Sequence, residues 1–253
     1  MTFQTALFLL AVGVFGGAWN AVAGGATLFT FPALMAAGLP PLAANATNYL
    51  ALLPANAAAL PAYRAELKAA GSALRPLLIV SGLGAAAGSA LLTVSDPDLF
   101  IELVPLLILL ATGLFAYGDA LRRRLTSLAG AERSQVYVHI GLFVCSIYGG
   151  YFGAGIGIIL LGIVQLAGFS SFAMANALKN LLATAFTLIS IAIFGVGGLI
   201  AWPEALVMMA GSVVGGYLGG RYAKRVNERV LRAAVIVFGL VLAAVYLQRN
   251  LVG

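Results

Sequence analysis

Polar residues cluster at a few points along this chain, and the apolar positions between them run on without a break. No charge falls within residues 1–63, 76–95, 134–178 or 180–203. Each run meets or exceeds the roughly 20 apolar residues that carry an α-helix across a bilayer. Cutting at charges, prolines and glycine clusters predicts helices at about 3–22, 26–39, 42–63, 74–94, 99–121, 137–152, 155–168, 172–196, 203–221 and 230–248. The segments 26–39 and 155–168 are too short to span. As helix, 14 residues rise about 21 Å against a hydrocarbon core of about 30 Å, so both are predicted half-helices. The unbroken runs also lack the short apolar–polar alternation of an outer-membrane barrel.

Composition turns this pattern into a statement about solvent. Of 253 residues, 62% are hydrophobic and 9% charged, with a mean hydropathy of +1.04. A soluble domain carries about 25% charged residues, so the chain is expected to be an all-α, polytopic transmembrane bundle with the lipid bilayer as its first partner. A soluble enzyme is excluded, and so is a nucleic-acid binder despite the net charge of +6. Cys145 is the single cysteine, which excludes a disulfide scaffold.

The basic residues orient the bundle. Arg64, Lys68 and Arg75 form one linker, Arg122, Arg123, Arg124 and Arg133 a second, and Arg221, Lys224, Arg225, Arg229 and Arg232 a third. The excess of basic residues in cytoplasmic loops places all three inside. The turn with Asp96 and Asp98 and the turn near Trp202 and Glu204 have no Lys or Arg and are placed outside. Three segments precede the first inside linker, and three separate the second from an outside turn. Both termini are therefore expected outside, in the periplasm of an inner-membrane protein, with the second half inserted upside down. The expected organisation is a first repeat at 1–121, a basic linker at 122–135 and a second repeat at 136–253. Ala21-Val22-Ala23 resembles a signal-peptidase site, but no basic stretch precedes it, and segment 3–22 is retained as a helix.

A weak internal repeat agrees with this topology. Ala37-Gly38-Leu39-Pro40-Pro41-Leu42-Ala43-Ala44-Asn45-Ala46 aligns with 167–177 with one insertion, and Gly24-Gly25-Ala26-Thr27 lies 130 positions before Ala154-Gly155-Ile156-Gly157. Inverted repeats with interrupted helices are the pattern of secondary transporters, whose sites lie near the bilayer midplane.

Lys179 is the basic residue set in the middle of apolar sequence. A lysine at the centre of a spanning helix costs about 2.5–3.5 kcal/mol on insertion scales, and so it generally faces a cavity, a partner or a substrate. The alternative is an interfacial lysine that snorkels to the headgroups. Asn176, Lys179 and Asn180 share one helical face, with Thr187 on the same side, and Asn45, Asn48 and Asn56 form a matching stripe on segment 42–63. Interhelical hydrogen bonding is the competing role for each of these amides. Half-helices starting near Gly25 and Gly155 would turn free N–H groups and the positive dipole end toward a ligand. Glycines at 24, 25, 153, 155 and 157 permit close approach, although glycine also serves helix packing. No Asp or Glu lies inside an apolar segment away from its ends, which disfavours a cation and favours an anion. His139 is a candidate proton shuttle, although a lone histidine there is more often interfacial. Tyr148, Tyr151 and Trp19 adjoin the glycine breaks. No phosphate-cradling loop, metal-ligand cluster or nucleophile elbow occurs, so no cofactor and no catalytic residue are expected.

The run Gly13-Val14-Phe15-Gly16-Gly17-Ala18-Trp19-Asn20-Ala21-Val22-Ala23-Gly24-Gly25, followed by Phe31-Pro32-Ala33-Leu34 and by Gly38 to Asn48, resembles the opening of the TauE/SafE sulfite exporter family. Gly153-Ala154-Gly155-Ile156-Gly157 and Ala175-Asn176-Ala177-Leu178-Lys179-Asn180 are similar to its second motif. The resemblance implies transport of a small sulfur-containing anion such as sulfite, sulfoacetate or another organosulfonate, with export as the usual direction. The chain departs from the family pattern where Leu178-Lys179-Asn180 stands opposite Thr47-Asn48. The expectation is a secondary transporter with a substrate site of Asn20, Gly24, Gly25, Asn45, Thr47, Asn48, Gly153, Gly155, Asn176, Lys179 and Asn180. An anion channel and a non-transporting membrane subunit are the alternatives, and a homo-oligomer is left open.

Overall fold

The computed structural model describes residues 1–22, 25–58, 60–127, 135–169, 171–222 and 228–252, among which there is no strand. The helices of the first half are α1 (Phe3–Val22), α2 (Thr27–Ala36), α3 (Pro41–Ala57), α4 (Arg64–Ala70), α5 (Leu74–Thr93) and α6 (Pro97–Ser127). Those of the second are α7 (Gln135–Tyr151), α8 (Ile156–Leu166), α9 (Phe172–Val196), α10 (Trp202–Tyr222) and α11 (Glu228–Val252). Every apolar segment read from the pattern is helical, so the protein is an all-α membrane bundle. The two short segments are indeed short: α2 and α8, at 10 and 11 residues, rise about 15–17 Å.

Local sequence sets several ends. Pro41 occupies the first position of α3, where its missing N–H costs nothing. Ser171 caps α9 by accepting the Met174 N–H, and Asp96 Oδ1 does the same for α6 from Asp98 N at 2.8 Å and Leu99 N at 3.2 Å. Segment 42–63 departs from expectation. It stops at Ala57 and resumes as a single tight turn at Leu60–Tyr63, because Pro61 has no N–H to donate to the Ala57 carbonyl and cannot extend the ladder. The basic linker that follows folds into α4, which no apolar period announced.

Two close crossings hold the bundle. Gly211, Gly215 and Gly219 of α10 lie against the backbone of Leu10, Val14 and Ala18 of α1, so the two helices run in the same direction. Gly84 and Gly88 of α5 lie against Phe143 and Ile147 of α7, again in the same direction. A Cβ at Gly88 would collide with the Ile147 carbonyl oxygen, and one at Gly215 with that of Val14. Without a hydrophobic drive between helices in lipid, such small-residue approaches supply the dispersion contacts that bind one helix to another.

Partners recur when the halves are exchanged. The pair α1–α10 has its counterpart in α7–α5, and α3–α10 in α9–α5. The short helices match as well: α8 lies along α6, and α2 reaches α11 through Phe29–Phe238 and Tyr246–Met35. Gly118 faces Ile158 while Gly155 faces Ala111, so α8 runs the same way as α6. Since α7 runs with α5, α8 folds back along α7. By the rise of Phe29 to Met35 against Phe238 to Tyr246, α2 folds back along α1 in the same manner. Both half-helices thus fold back along the helix that precedes them.

Large side chains cover the outside. Phe3, Leu83, Val144 and Val237 are exposed, as expected for a surface whose solvent is acyl chain.

Candidate functional site at the two helix breaks

The site is built from two interruptions and the helix that ties them together. At the first, α1 ends at Val22 and α2 begins at Thr27, with Gly25 at φ +73°. At the second, α7 ends at Tyr151 and α8 begins at Ile156, with Gly153 at +74° and Gly155 at +75°. The left-handed conformation costs an L side chain roughly 1–2 kcal/mol, which is the local reason for glycine here. Gly155 follows Gly25 by 130 positions with the same backbone angle, and Gly168 (+99°) follows Gly38 (+97°) by the same interval.

Both breaks meet one ring. A Cβ at Gly25 would strike the Phe115 ring, and one at Gly155 would lie 3.5 Å from Phe115 Cε2. Phe115 is a buried residue of α6. The two glycine turns therefore meet at a single phenyl ring deep in the bundle.

Helix α3 bonds to both. Toward the first break, Thr30 donates to Asn48 Oδ1 at 2.5 Å and Asn48 Nδ2 donates to Thr27 Oγ1 at 3.3 Å. Toward the second, Asn45 Nδ2 donates to the Tyr151 carbonyl at 2.8 Å, and the Tyr49 hydroxyl donates to the Gly149 carbonyl. Ser89 donates to the Gly150 carbonyl at 3.2 Å and Tyr148 to the Ala154 carbonyl at 2.7 Å. The Tyr148 carbonyl accepts from the N–H groups of Phe152 and Gly153. The carbonyls at the end of α7, which carry the negative end of its dipole, are thus supplied with donors from within the protein.

The opposite side of the same break has a different character. The first turn of α8 presents N–H groups that have no intrahelical acceptor. Ile156 and Ile158 reach back to the Gly153 and Gly155 carbonyls at 3.4 and 3.2 Å. Lys179 of α9 lies over this turn: a Cβ at Gly157 would be 3.8 Å from Lys179 Cδ. In the repeat, Lys179 stands where Asn48 stands in the first half, and Asn48 likewise lies over the first residue of α2. No Asp or Glu occurs in α1, α2, α3, α5, α7, α8 or α9. A cation beside the positive end of a helix dipole, without a carboxylate on any of these elements, is an arrangement that an anion stabilises from both directions.

The remaining sequence candidates fall as follows. Asn176, Lys179 and Asn180 are half-buried along one face of α9, and Thr187 on that side is buried. Asn20 is half-buried in the last turn of α1. Thr47 faces away from the breaks: its hydroxyl accepts the Ala201 N–H at 3.0 Å, in the turn between α9 and α10. Gly24 and the Asn56 side chain lie outside the described residues. Trp19 packs among Phe15 and Phe29, with its Nε1 unpaired. Asn45 Oδ1 is the other buried side-chain polar atom without a hydrogen-bond partner among the described residues. His139 lies about 18 Å along α7 from the break, too far to exchange a proton with a ligand there. Cys145 is buried. Sequence reasoning missed Tyr49, although it follows Asn45 at helical spacing. It also missed Phe115, which nothing distinguishes from the other 13 phenylalanines before the fold is known.

Comparison with known proteins agrees with this arrangement in both extent and kind. The family model described as "Sulfite exporter TauE/SafE" matches residues 9–246. A "Probable membrane transporter protein" of Haemophilus influenzae is 34% identical over 248 residues, covering 93% of this chain and 92% of its own. A "Probable membrane transporter protein ORF9" of a Sinorhizobium species is 28% identical, covering 96% and 92%. The "Probable membrane transporter protein YfcA" of Escherichia coli K12 is 27% identical, covering 93% and 87%. No solved structure matches the chain.

Proposed function

The chain belongs to the TauE/SafE sulfite exporter family and is a membrane transporter, and from that premise we propose that it exports a small sulfur-containing oxyanion, sulfite or an organosulfonate such as sulfoacetate, by alternating access. The observation that carries the proposal is the placement of Lys179 over the first turn of α8, with the two breaks meeting at Phe115. In this reading the Lys179 ammonium and the N–H groups of Gly155 and Gly157 neutralise the anion. Amides from Asn48, Asn176 and Asn180 complete its hydrogen bonds, and Gly25 and Gly153 let the backbone close in. Asn20 borders the site from α1, and Thr47 steadies α3 from the side. The donors already seated on the α7 carbonyls favour an anion over a cation, because the groups a cation would need are occupied.

Helix direction supports the upside-down relation of the halves. Helix α10 leads into the basic stretch 221–232, and α1 runs parallel to it; α5 leaves the basic stretch 64–75, and α7 runs parallel to that. With basic segments on the cytoplasmic side of the inner membrane, α1 starts outside and α7 inside. Movement of one break-bearing hairpin against the other would then open the same site to either face.

The test is efflux of labelled sulfite and sulfoacetate from liposomes carrying purified wild-type protein, Lys179→Ala or Lys179→Arg. Saturable flux that Ala abolishes and Arg partly restores is the expected result. Equal transport by all three would remove Lys179 from the site. Flux that grows with the gradient without saturating would indicate a channel.

A further inference from the structure

The two breaks are screened from one face of the membrane and not from the other. Helix α2 runs outward from the first break, and Phe31 stands four residues, or about 6 Å, beyond Thr27. Its ring meets Phe152, in the second break, edge to face at 5.6 Å between centroids, and Phe100 of α6 at 6.4 Å. Phe100 is the fourth residue of α6, just past the exposed Pro97, Asp98 and Leu99 of the outer turn. The three rings thus form a stack from the second break to the outer turn, and Phe31 and Phe100 are 0% exposed and Phe152 1%. Tyr151 ties the same break to that turn through a hydrogen bond at 3.4 Å with Ser95. On α3, which starts at the outer side, Asn45, Asn48 and Tyr49 are buried as well.

The inner side is open. Helix α8 folds back toward the inner face, so α9 starts there, and Asn176, Lys179 and Asn180 lie about 6–12 Å along it from Phe172. All three are only half-buried, as is Gly157 opposite Lys179. A face of two amides and an ammonium is not stable against acyl chains, and its exposed area belongs to water entering from the inner side. The repeat carries the same difference: Leu161, 130 positions after Phe31, is half-buried where Phe31 is sealed. We propose that Phe31, Phe100 and Phe152 are the outer barrier of the transport path and that the structure is its inward-open state, an inference that rests on the breaks being the transport site. A stack of phenyl rings offers a hydrated anion no hydrogen bond, so it blocks passage by dewetting. Because Phe31 belongs to one hairpin and Phe152 to the other, the hairpins cannot part on the outer side until this contact breaks. An exporter that rests in this state loads from the cytoplasm.

Access to position 180 tests the barrier without any substrate. In a Cys145→Ser background, Asn180→Cys supplies the single thiol of the chain. Its reaction with a small membrane-impermeant methanethiosulfonate is timed from the outer face in intact spheroplasts and from the inner face in inside-out vesicles. The inner rate should exceed the outer by about tenfold or more, because a state populated at about a tenth reacts at about a tenth of the rate. Phe31→Leu with Phe152→Val copies onto the outer side the residues that stand 130 positions away, Leu161 and Val22. It should raise the outer rate about tenfold, the shift expected when the contacts of Phe31 with Phe100 and Phe152 are lost. Equal rates from the two faces in the parent protein, a faster rate from outside, or no reaction from either would overturn the proposal. So would a double variant, monodisperse on size-exclusion chromatography, whose outer rate is unchanged. Sulfite flux is measured beside it on the Cys145→Ser protein. Absent flux with one-sided labelling removes the substrate and leaves the barrier, whereas saturable flux with two-sided labelling removes the barrier and leaves the substrate.

Discussion

Replacing Lys179 by Met should make the empty protein more stable and the anion-treated protein no more stable than the empty one. Methionine keeps an unbranched stem of similar length against Gly157 and removes only the charge. In the absence of ligand that charge stands at the positive end of α8, beside elements without a carboxylate. A like-signed contact at a helix terminus is unfavourable by about 0.3–2 kcal/mol, and a lysine held within the hydrocarbon region by about 2.5–3.5 kcal/mol before relief by water. We expect Lys179→Met to gain about 1–3 kcal/mol without ligand. Wild type treated with sulfite at a hundred times its dissociation constant gains about 2.7 kcal/mol by mass action. At about 2–4 °C per kcal/mol for a chain of this size, that is a rise of about 5–11 °C in the unfolding midpoint. The assay is thermal unfolding in lipid nanodiscs, with and without sulfite, for wild type and variant. A variant that melts below wild type in plain buffer and still shows the full sulfite shift would refute the reasoning, because the charge would then be both satisfied within the protein and irrelevant to the anion.

Gly88→Leu drives a side chain into the Ile147 carbonyl at the α5–α7 crossing and should prevent recovery of monodisperse protein, whereas Gly113→Leu, which meets nothing within 4 Å of its Cβ, should purify like wild type on size-exclusion chromatography. Asn45→Leu leaves the Tyr151 carbonyl without its Asn45 donor and should cost about 1–3 kcal/mol in thermal unfolding, with flux reduced as the second break loosens. In a Cys145→Ser background, Thr2→Cys should react with a membrane-impermeant maleimide on intact spheroplasts; reaction only after lysis would place the N-terminus inside and invert the topology argued above.

How much of this was legible beforehand follows the range of each interaction. That the chain is a membrane helix bundle, that two of its segments are too short to cross, and that Lys179 is out of place in apolar sequence are properties of hydropathy measured against bilayer thickness, and they are local. The 130-position offset between Gly25 and Gly155 could likewise be read from the chain, and the backbone echoes it in matched φ angles. The stripe of Asn45 and Asn48 was visible as a face, but not that its two amides turn to different breaks, nor that Thr47 turns to Ala201. The crossings are a further step removed. With 31 glycines in the chain, composition does not say which of them meet a neighbouring backbone. That depends on register between helices far apart in sequence. Phe115 and the crowding of donors on the α7 carbonyls belong to the same class. Each depends on which surfaces are brought within van der Waals or hydrogen-bonding distance, forces that vanish over a few ångströms and leave no periodic trace along the chain. Sequence alone therefore determined the solvent and the apolar helices, because those depend on composition and length. Tertiary structure alone decided where the two breaks meet and what faces them.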